Sequence, residues 1–507
     1  MISKENLPRS LFLLSLTVVS VGLPTSKFLM SVGQFGILLA WLLNANYLQS
    51  FRQFIRNRSL IVLSSLFFLH LIGLLYTQNF DYAFHDIRIK LPILVFPVFS
   101  APFLPLKRKE WLWLLHFFVA SVVFVSFIGF YRKFSHSGLP FSPFVSHIRY
   151  GLMLVLAVFS VIFFIKQKLI YRGVYLFILI VLLTALYFLG SLTAIVVLIL
   201  TSATLIIVYP TKILSFPVKI LLASGFLLLS ASWFYFKFYL PYKEENLPKE
   251  LPVLTHSPNG EKYYSDFTFS EGVNRENGYY IWQNIAWNEL RSSWEKVSST
   301  PFDDSTGNAL KFTLVRYMTS KGLNKDASDF NKLSKEDIQA IEQGIANYLF
   351  KDMNKLERRI YQTLWELDVW QKNGNPSGHS LVMRFIYWQS AIEVWKNNLW
   401  FGVGTGDVFD EVEKWQKNNS RLSDGFYKHP HNQFLTILAT FGILGFIWFL
   451  VWIFFPVLNI KKHNLLSLAF AIIVIISYLD EDTLETQAGV TFVMFFSTLF
   501  YSSKKVY

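Results

Sequence analysis

The chain contains no cysteine among its 507 residues, and only 16% of its residues are charged. The absence of cysteine excludes disulfides, iron–sulfur clusters and thiolate metal sites. The charged fraction lies well below the roughly one quarter that is usual in soluble domains. Hydrophobic residues make up 53% of the chain and are concentrated in long runs such as Trp111–Tyr131 and Val218–Leu240. Because a helix of about 20 apolar residues crosses the hydrocarbon core, these runs predict an integral membrane protein.

The apolar runs recur along the chain, which predicts an all-α polytopic membrane protein with about 12 transmembrane helices. Every second connector is basic, for example the one that contains Arg52, Arg56 and Arg58. By the positive-inside rule, this alternation predicts that both termini are cytoplasmic. The net charge of +13 is therefore a topology signal and does not indicate a nucleic-acid partner. The predicted spans lie near residues 10–24, 28–46, 59–77, 90–105, 110–131, 147–165, 173–189, 191–209, 217–240, 432–456, 464–480 and 487–503.

One long polar stretch interrupts these runs. We predict a membrane domain with spans 1–9 over residues 1–240, a large, mainly helical periplasmic insertion over residues 241–430, and a membrane domain with spans 10–12 over residues 431–507. Inside the insertion, apolar residues at helical spacing predict packing helices. These helices are expected at Trp282–Trp294, at Ile338–Ile345 after a capping box of Ser334 and Asp337, and at Leu356–Leu367.

The last helix of the insertion has a different character. Its apolar face is rich in tryptophan, which is typical of a helix that lies at a membrane interface, and Arg384 lies beside that face. Arginine on an apolar face is costly unless an anion pairs with it. Arg384 therefore either reaches lipid phosphates at the surface or holds a specific phosphate, and composition favours neither. The residues of the apolar face are Leu381, Phe385, Trp388, Ile392 and Trp395.

Two further segments carry candidate site residues. Gly402–Gly406 fits neither a dinucleotide nor a P-loop pattern, so a tight turn is the simpler interpretation, although backbone amides at Gly404 and Gly406 could line an anion site. Lys428-His429-Pro430-His431-Asn432 directly precedes a span. Its histidines fit a proton acceptor or a hydrogen-bonded cap better than zinc, which needs at least three protein ligands. The acidic run Asp480-Glu481-Asp482 is predicted to be a solvated hairpin rather than a metal site.

The order of these motifs resembles the O-antigen ligase superfamily, which includes O-antigen ligases, O-antigen polymerases and some protein O-oligosaccharyltransferases. The shared elements are Arg384 with Trp388, Gly402–Gly406, His431-Asn432-x-x-Leu435 and Gly442–Gly445. Stretches that resemble the Bacteroidetes branch are Asn277–Trp282, Arg316–Gly322, Gly378-His379-Ser380, Glu481–Gln487 and His147–Tyr150.

The resemblance implies transfer of a glycan from undecaprenyl diphosphate to an acceptor hydroxyl on the periplasmic side of the inner membrane, with no metal or other cofactor. It implies that Arg384 and Arg149, helped by Lys90 or Lys428, stabilise the departing diphosphate. His431 would take the acceptor's proton, and Asn432 would orient His431 or the sugar. Many members have an arginine where this chain has Leu192; Arg149 is a candidate for its role, but the sequence alone leaves the replacement open.

Within the superfamily we favour ligation to lipid A–core, with O-antigen polymerisation or protein O-glycosylation as alternatives. A transporter of the same lipid-linked glycan is the alternative from a different class. Transporters commonly show internal repeats and broken helices at the middle of the membrane. The sequence has no evident repeat, and its unusual residues cluster at the outer interface, so the enzyme interpretation is preferred.

Overall fold

The computed structural model describes residues 7–135, 139–167, 172–209, 215–267, 275–303, 310–373, 380–420, 422, 424–459 and 464–502. The motif residues Gly378 and His379 lie outside these ranges. The described residues are mostly helical and include only two strands of two residues each, which confirms the prediction of an all-α protein.

The helices of the first half of the chain are α1 (Leu7–Thr25), α2 (Lys27–Leu43), α3 (Tyr47–Arg56), α4 (Arg58–Gly73), α5 (Phe80–Leu94), α6 (Arg108–Ser135), α7 (His147–Lys166), α8 (Arg172–Leu189), α9 (Leu192–Val208), α10 (Phe216–Phe234) and α11 (Leu240–Glu245). Those of the second half are α12 (Trp287–Glu295), α13 (Leu310–Ser320), α14 (Ala327–Phe330), α15 (Lys335–Glu342), α16 (Lys355–Asn373), α17 (Ser380–Asn397), α18 (Val408–Asn419), α19 (Gln433–Leu458), α20 (Leu465–Asp480) and α21 (Gln487–Tyr501). Two short antiparallel strands, β1 (Arg275–Glu276) and β2 (Tyr279–Tyr280), pair with each other.

Six of the described helical segments are long and apolar enough to cross a membrane: Leu7–Thr25, Arg108–Ser135, His147–Lys166, Arg172–Leu189, Phe216–Glu245 and Gln433–Leu458. The pair α2 and α3 passes the same test together, but it bends by 117°. Helices α4, α9, α20 and α21 are apolar but shorter. In α10, Leu221 and Leu229 are 71% and 73% exposed. Such exposure of large apolar side chains suits contact with lipid, so these helices form a membrane protein, and twelve crossings stay a prediction.

The chain divides into two compact units. The first consists of Met1–Leu227 together with Met383–Tyr507, and the second consists of Leu228–Val382. Residues 383–430, which the sequence assigned to the insertion, fall in the first unit.

Helix α7 lies in the interior of the first unit and contacts α6, α8, α9 and α20. Side chains all around this helix are buried, including Leu154, Val155 and Leu156. Helix α21 is similarly enclosed, with Val490, Met494 and Phe496 at most 1% exposed. The polar residues at the start of α7 and between α20 and α21 are therefore held by the most tightly packed helices of the unit.

The second unit has its own apolar core, which includes Leu290, Trp294, Leu314, Met318 and Ile341. The predicted capping box is confirmed, since Ser334 Oγ accepts a hydrogen bond from the Asp337 amide at 3.2 Å and the Asp337 carboxylate accepts one from the Ser334 amide at 3.0 Å.

The predicted helix from Trp282 is wrong at its start, because α12 begins only at Trp287. Ile285 instead exchanges two backbone hydrogen bonds of 2.9 Å with Tyr264, which requires extended backbone.

Two of the motif stretches from the sequence analysis, Asn277–Trp282 and Arg316–Gly322, meet inside the second unit. Arg316 Nη2 lies 2.8 Å from Glu276 Oε2, and Asn277 Nδ2 donates to the Ser320 carbonyl at 3.1 Å. Glu276 and Asn277 are each 2% exposed. Asn277, Arg316 and the adjacent Glu276 therefore help to hold the fold of this unit.

Candidate active site at the loop between α20 and α21

The loop that joins α20 to α21, here called the acidic loop, consists of residues 480–486. The sequence predicted a solvated hairpin for Asp480-Glu481-Asp482, and the structure corrects this prediction. Glu481 and Asp482 are each only 4% exposed. Burial of carboxylates requires compensating partners, and the acidic loop has both arginines and backbone amides against it.

Glu481 lies at the centre of this arrangement. Its Oε1 accepts a hydrogen bond from Arg384 Nη2 at 2.8 Å, and its Oε2 lies 3.3 Å from Arg149 Nη1. The same Oε2 lies 3.7 Å from Nδ1 of His431. One carboxylate thus connects three residues that the sequence singled out from positions far apart in the chain.

Arg384 makes a second contact, from Nη1 to Oδ1 of Asp480. Asp480 Oδ2 in turn accepts a hydrogen bond of 2.7 Å from Thr193, at the start of α9. The Arg384 side chain is 18% exposed and that of Asp480 is 34% exposed, whereas that of Glu481 is only 6% exposed. The pair of Arg384 and Asp480 therefore forms the accessible edge of the site.

Arg149 lies deeper, with a side chain that is 8% exposed. Its Nη2 donates to the backbone carbonyl of Asp482 at 2.9 Å, and its Nε donates to Thr486 Oγ1 at 3.3 Å. Leu192 begins α9 directly before Thr193. Both Arg149 and the start of α9 therefore adjoin the acidic loop.

The Asp482 carboxylate holds the residues at the start of α19 in place. Its carboxylate accepts hydrogen bonds from the backbone amides of His431 at 2.7 Å and Asn432 at 3.0 Å, and from Thr436 Oγ1 at 2.7 Å. His431 has a positive φ of 51°, which is uncommon for a residue other than glycine. These hydrogen bonds hold the strained backbone, so the position of the imidazole is set by the acidic loop.

Asn432 is the N-cap of α19. Its Oδ1 accepts a hydrogen bond from the Leu435 amide at 3.1 Å, and its Nδ2 donates to the Leu479 carbonyl at 3.0 Å. With 8% exposure, Asn432 uses its side chain to orient the segment that carries His431.

Glu481 lies between apolar helices, in the loop, and is ionised at neutral pH. Burial disfavours its charged form, but the neighbouring His431 ring and the charges of Arg149 and Arg384 outweigh that penalty and hold the pKa of Glu481 below its ordinary value. A charged carboxylate at this point favours a proton on Nδ1 of His431, which leaves Nε2 as the nitrogen that can accept one.

Two lysines from the prediction take different places. Lys90 is completely buried, and its Nζ donates to the Leu484 carbonyl at 2.6 Å and lies 2.8 Å from Glu485 and 3.2 Å from Asp86. Lys428 bonds Gln416 through its backbone amide and carbonyl, at 3.2 and 3.0 Å. Among the described residues, neither lysine has a contact that brings its ammonium group to Arg384.

The contacts of His429 are with aromatic side chains. Its ring stacks on Phe409 with 4.5 Å between centroids, and its Nε2 lies 3.3 Å from the hydroxyl of Tyr82. Across the described ranges, no group of three or more His, Asp or Glu side chains is arranged to hold a metal ion.

The glycine segment packs against α19 and against the stretch between α4 and α5. The Gly404 amide donates to the Thr440 carbonyl at 2.9 Å, and the Gly406 amide donates to Thr77 Oγ1 at 2.8 Å. The amides that the sequence suggested for anion binding are thus already bonded within the protein. This segment connects α17, which carries Arg384, to α18.

Helix α19 is interrupted to receive that segment. The carbonyl of Ala439 accepts a hydrogen bond from Val403 at 3.1 Å, and the amide of Ile443 donates to the Leu399 carbonyl at 2.9 Å. The break occurs at Gly442, which has a φ of 63° and a ψ of −165°. A Cβ atom there would lie 2.3 Å from the Trp400 carbonyl carbon. Gly442 is therefore required both by its conformation and by its close contact.

Gly442→Ala is expected to destabilise the protein by at least about 1 kcal/mol, because alanine must adopt a positive φ and displace backbone. A thermal melt of the detergent-purified chain should show a lower Tm. Gly225→Ala is the matched control, since a Cβ at Gly225 meets nothing within 4 Å, and its Tm should stay the same or rise slightly. An equal Tm for wild type and Gly442→Ala would contradict the conclusion that the break in α19 requires Gly442.

Sequence reasoning missed Glu481 and Asp482 as central residues, although the motif Glu481–Gln487 had marked their neighbourhood. No curated protein matches the chain. Residues 340–450, which contain Arg384, the glycine segment and His431, match the O-antigen ligase family model, and this match confirms the resemblance inferred from the motifs.

Proposed function

We propose that the protein transfers a glycan from a polyprenyl diphosphate to an acceptor hydroxyl, as a metal-independent membrane glycosyltransferase. The observation that carries this proposal is the convergence of Arg384, Arg149 and His431 on Glu481 at the end of an apolar helix. Such a site offers two guanidinium groups for a diphosphate and an imidazole for a hydroxyl proton.

The leaving group is the first chemical problem. When the bond between the anomeric carbon and the diphosphate oxygen breaks, its electron pair stays on the diphosphate, where negative charge increases. Arg384 is the more accessible arginine, and its planar fork already engages two carboxylates, Asp480 and Glu481. A diphosphate can replace the Asp480 carboxylate on this fork, while Arg149 keeps Glu481 in place.

Activation of the acceptor hydroxyl is the second chemical problem. Its hydroxyl oxygen forms the new bond to the anomeric carbon, and its proton passes to Nε2 of His431. Glu481, next to Nδ1, stabilises the imidazolium that results. His431 has a side chain that is 32% exposed, so it is open to a substrate, in contrast to Arg149.

Ligation to lipid A–core is the reaction that we propose among those of this superfamily. The chain carries a second compact unit, Leu228–Val382, in addition to the membrane unit. A ligase must bring the head of a second amphiphile to the carrier's diphosphate, and the polar part of this unit that follows α11 suits that task. The proposal includes an inner-membrane location, cytoplasmic termini and a periplasmic insertion, supported by the basic connectors of the sequence.

Deletion of the gene is the test. We expect long glycan polymer to accumulate on its lipid carrier while lipid A–core stays bare, as seen on a gel of cell-envelope glycolipids. Restoration by wild type, and not by Arg384→Ala, is the matched comparison.

Other band patterns would contradict ligation. Single repeat units on the core would identify a polymerase, and unglycosylated exported proteins beside an intact lipopolysaccharide ladder would identify a protein O-oligosaccharyltransferase. Loss of glycan from the outer face, with carrier-bound glycan retained inside, would identify a transporter.

A further inference from the structure

Lys90 has an environment that its expected role in diphosphate binding does not explain. It is 0% exposed, and its Nζ has three partners: the Leu484 carbonyl at 2.6 Å, Glu485 Oε2 at 2.8 Å and Asp86 Oδ1 at 3.2 Å. A lysine ammonium has three N–H donors, so these partners account for all of them. The residue has no donor left for a substrate.

Two of the three partners of Lys90, Leu484 and Glu485, belong to the acidic loop, whereas Asp86 lies on α5 with Lys90 itself. Gln433 holds the same stretch from α19, because its Oε1 accepts from the Leu484 amide at 2.7 Å and its Nε2 donates to Glu485 Oε1 at 3.0 Å. The Leu484 peptide and the Glu485 carboxylate are thus fixed from two helices, α5 and α19. Glu481 and Asp482 lie only a few residues earlier on this loop.

The network continues away from the acidic loop. Asp86 Oδ2 lies 3.7 Å from Nε2 of His70, and the carbonyl of His70 accepts a hydrogen bond of 2.7 Å from Thr405 Oγ1. Buried polar contacts therefore run from the glycine segment to the acidic loop. Buried charges are retained only where every member has a partner, and such networks specify one arrangement of the chain.

We propose that Lys90, together with Asp86 and Glu485, positions the acidic loop so that Glu481 and Asp482 can hold the arginines and His431. Lys90 is a positioning residue in this proposal and does not contact the diphosphate. The inference rests on the proposed function for its kinetic test, and a second test does not depend on glycan transfer.

The kinetic test compares Lys90→Met and Glu485→Gln in the full-length protein with a lipid-linked diphosphate donor. We expect kcat to fall at least about tenfold in each variant, since each leaves buried polar groups without partners. The KM for the donor should change less than about threefold, because neither Lys90 nor Glu485 contacts the donor itself. The kcat of the double variant should be about the same as that of the less active single variant, since both changes act on one network.

The second test measures the acidic loop directly. The chain has no cysteine, so a single introduced cysteine is the only reactive thiol. Thr483 is 0% exposed, and Thr483→Cys should react slowly with a maleimide. In the Lys90→Met background we expect its labelling rate to rise at least about tenfold, since burial of the loop depends on the network. The control is Asn418→Cys, at the exposed end of α18, whose rate should not change.

The possible outcomes separate the two proposals. A raised donor KM with an unchanged labelling rate would overturn the positioning role and return Lys90 to the substrate site. Faster labelling in a protein whose wild type transfers no glycan would support the network and refute the proposed function alone. If Lys90→Met does not accumulate in membranes, Glu485→Gln carries both measurements, because its amide preserves the shape of the glutamate.

Discussion

Arg384→Lys is expected to lower transfer activity at least about 100-fold while the protein still inserts and accumulates normally. The two ends of the arginine fork engage different carboxylates, Asp480 and Glu481, and only a planar group can make both contacts in a fixed geometry. Lysine keeps the charge, but it offers a single ammonium group on a flexible stem. The loss should therefore appear in kcat/KM, measured with purified protein and a lipid-linked donor.

Arg88→Lys is the matched control for this change. Arg88 is exposed, and its Nη2 lies 3.3 Å from His85 within the same turn of α5. Its replacement should leave activity within about twofold of wild type, since exposed contacts of this kind contribute little. Near-normal activity of Arg384→Lys would show that Arg384 supplies only positive charge at the membrane surface.

His431→Ala is expected to reduce kcat by about 10²–10⁴, the usual range for loss of a general base. The backbone of His431 is fixed by Asp482, and its imidazole lies beside Glu481, so removal of the ring leaves the arginines intact. The donor should still bind, and its KM should change little. The reaction should slow at the step in which the acceptor loses its proton.

His429→Ala is the comparison within the same short segment. His429 stacks on Phe409 and contacts Tyr82, and neither residue belongs to the cluster around Glu481. We expect a loss of no more than about tenfold, caused by weaker packing. Equal losses in both variants, with recovery on addition of zinc, would instead indicate a metal site formed by the two histidines.

The sequence predicted the helices well where hydrophobic periodicity was continuous. The predicted spans over α1, α6, α7 and α19 match the observed helices to within a few residues. The start of α12 was missed because apolar residues at Trp282 and Ala286 continue the helical spacing, while Ile285 pairs with Tyr264 in extended backbone. Hydrophobic periodicity predicts which face of a segment is apolar. It does not predict a hydrogen bond to a residue about 20 positions away.

The candidate site could be predicted from the sequence only in part, for the same reason. Arg384 and His431 were identified because each stands out locally: one is a charge beside an apolar face, and the other precedes a span. Glu481 and Asp482 looked like an ordinary acidic connector, since nothing in their immediate sequence reveals that Arg149 and the start of α19 pack against them. Lys90 was named as a cation that could help the two arginines, but its complete burial is a property of the packed helices. The charge was evident from the sequence, and its partners were not.

The pairing of Arg384 with Asp480 also bears on how a turnover ends. After glycan transfer, a polyprenyl diphosphate remains, and its charge is greater than that of the donor it came from. Two arginines without nearby carboxylates would hold this product tightly and limit the rate. Here Asp480, which Thr193 keeps within reach, can compete for the same fork, so release becomes an exchange of one anion for another. Under the proposed function, Asp480→Asn should therefore strengthen inhibition by the spent carrier more than it changes the first turnover.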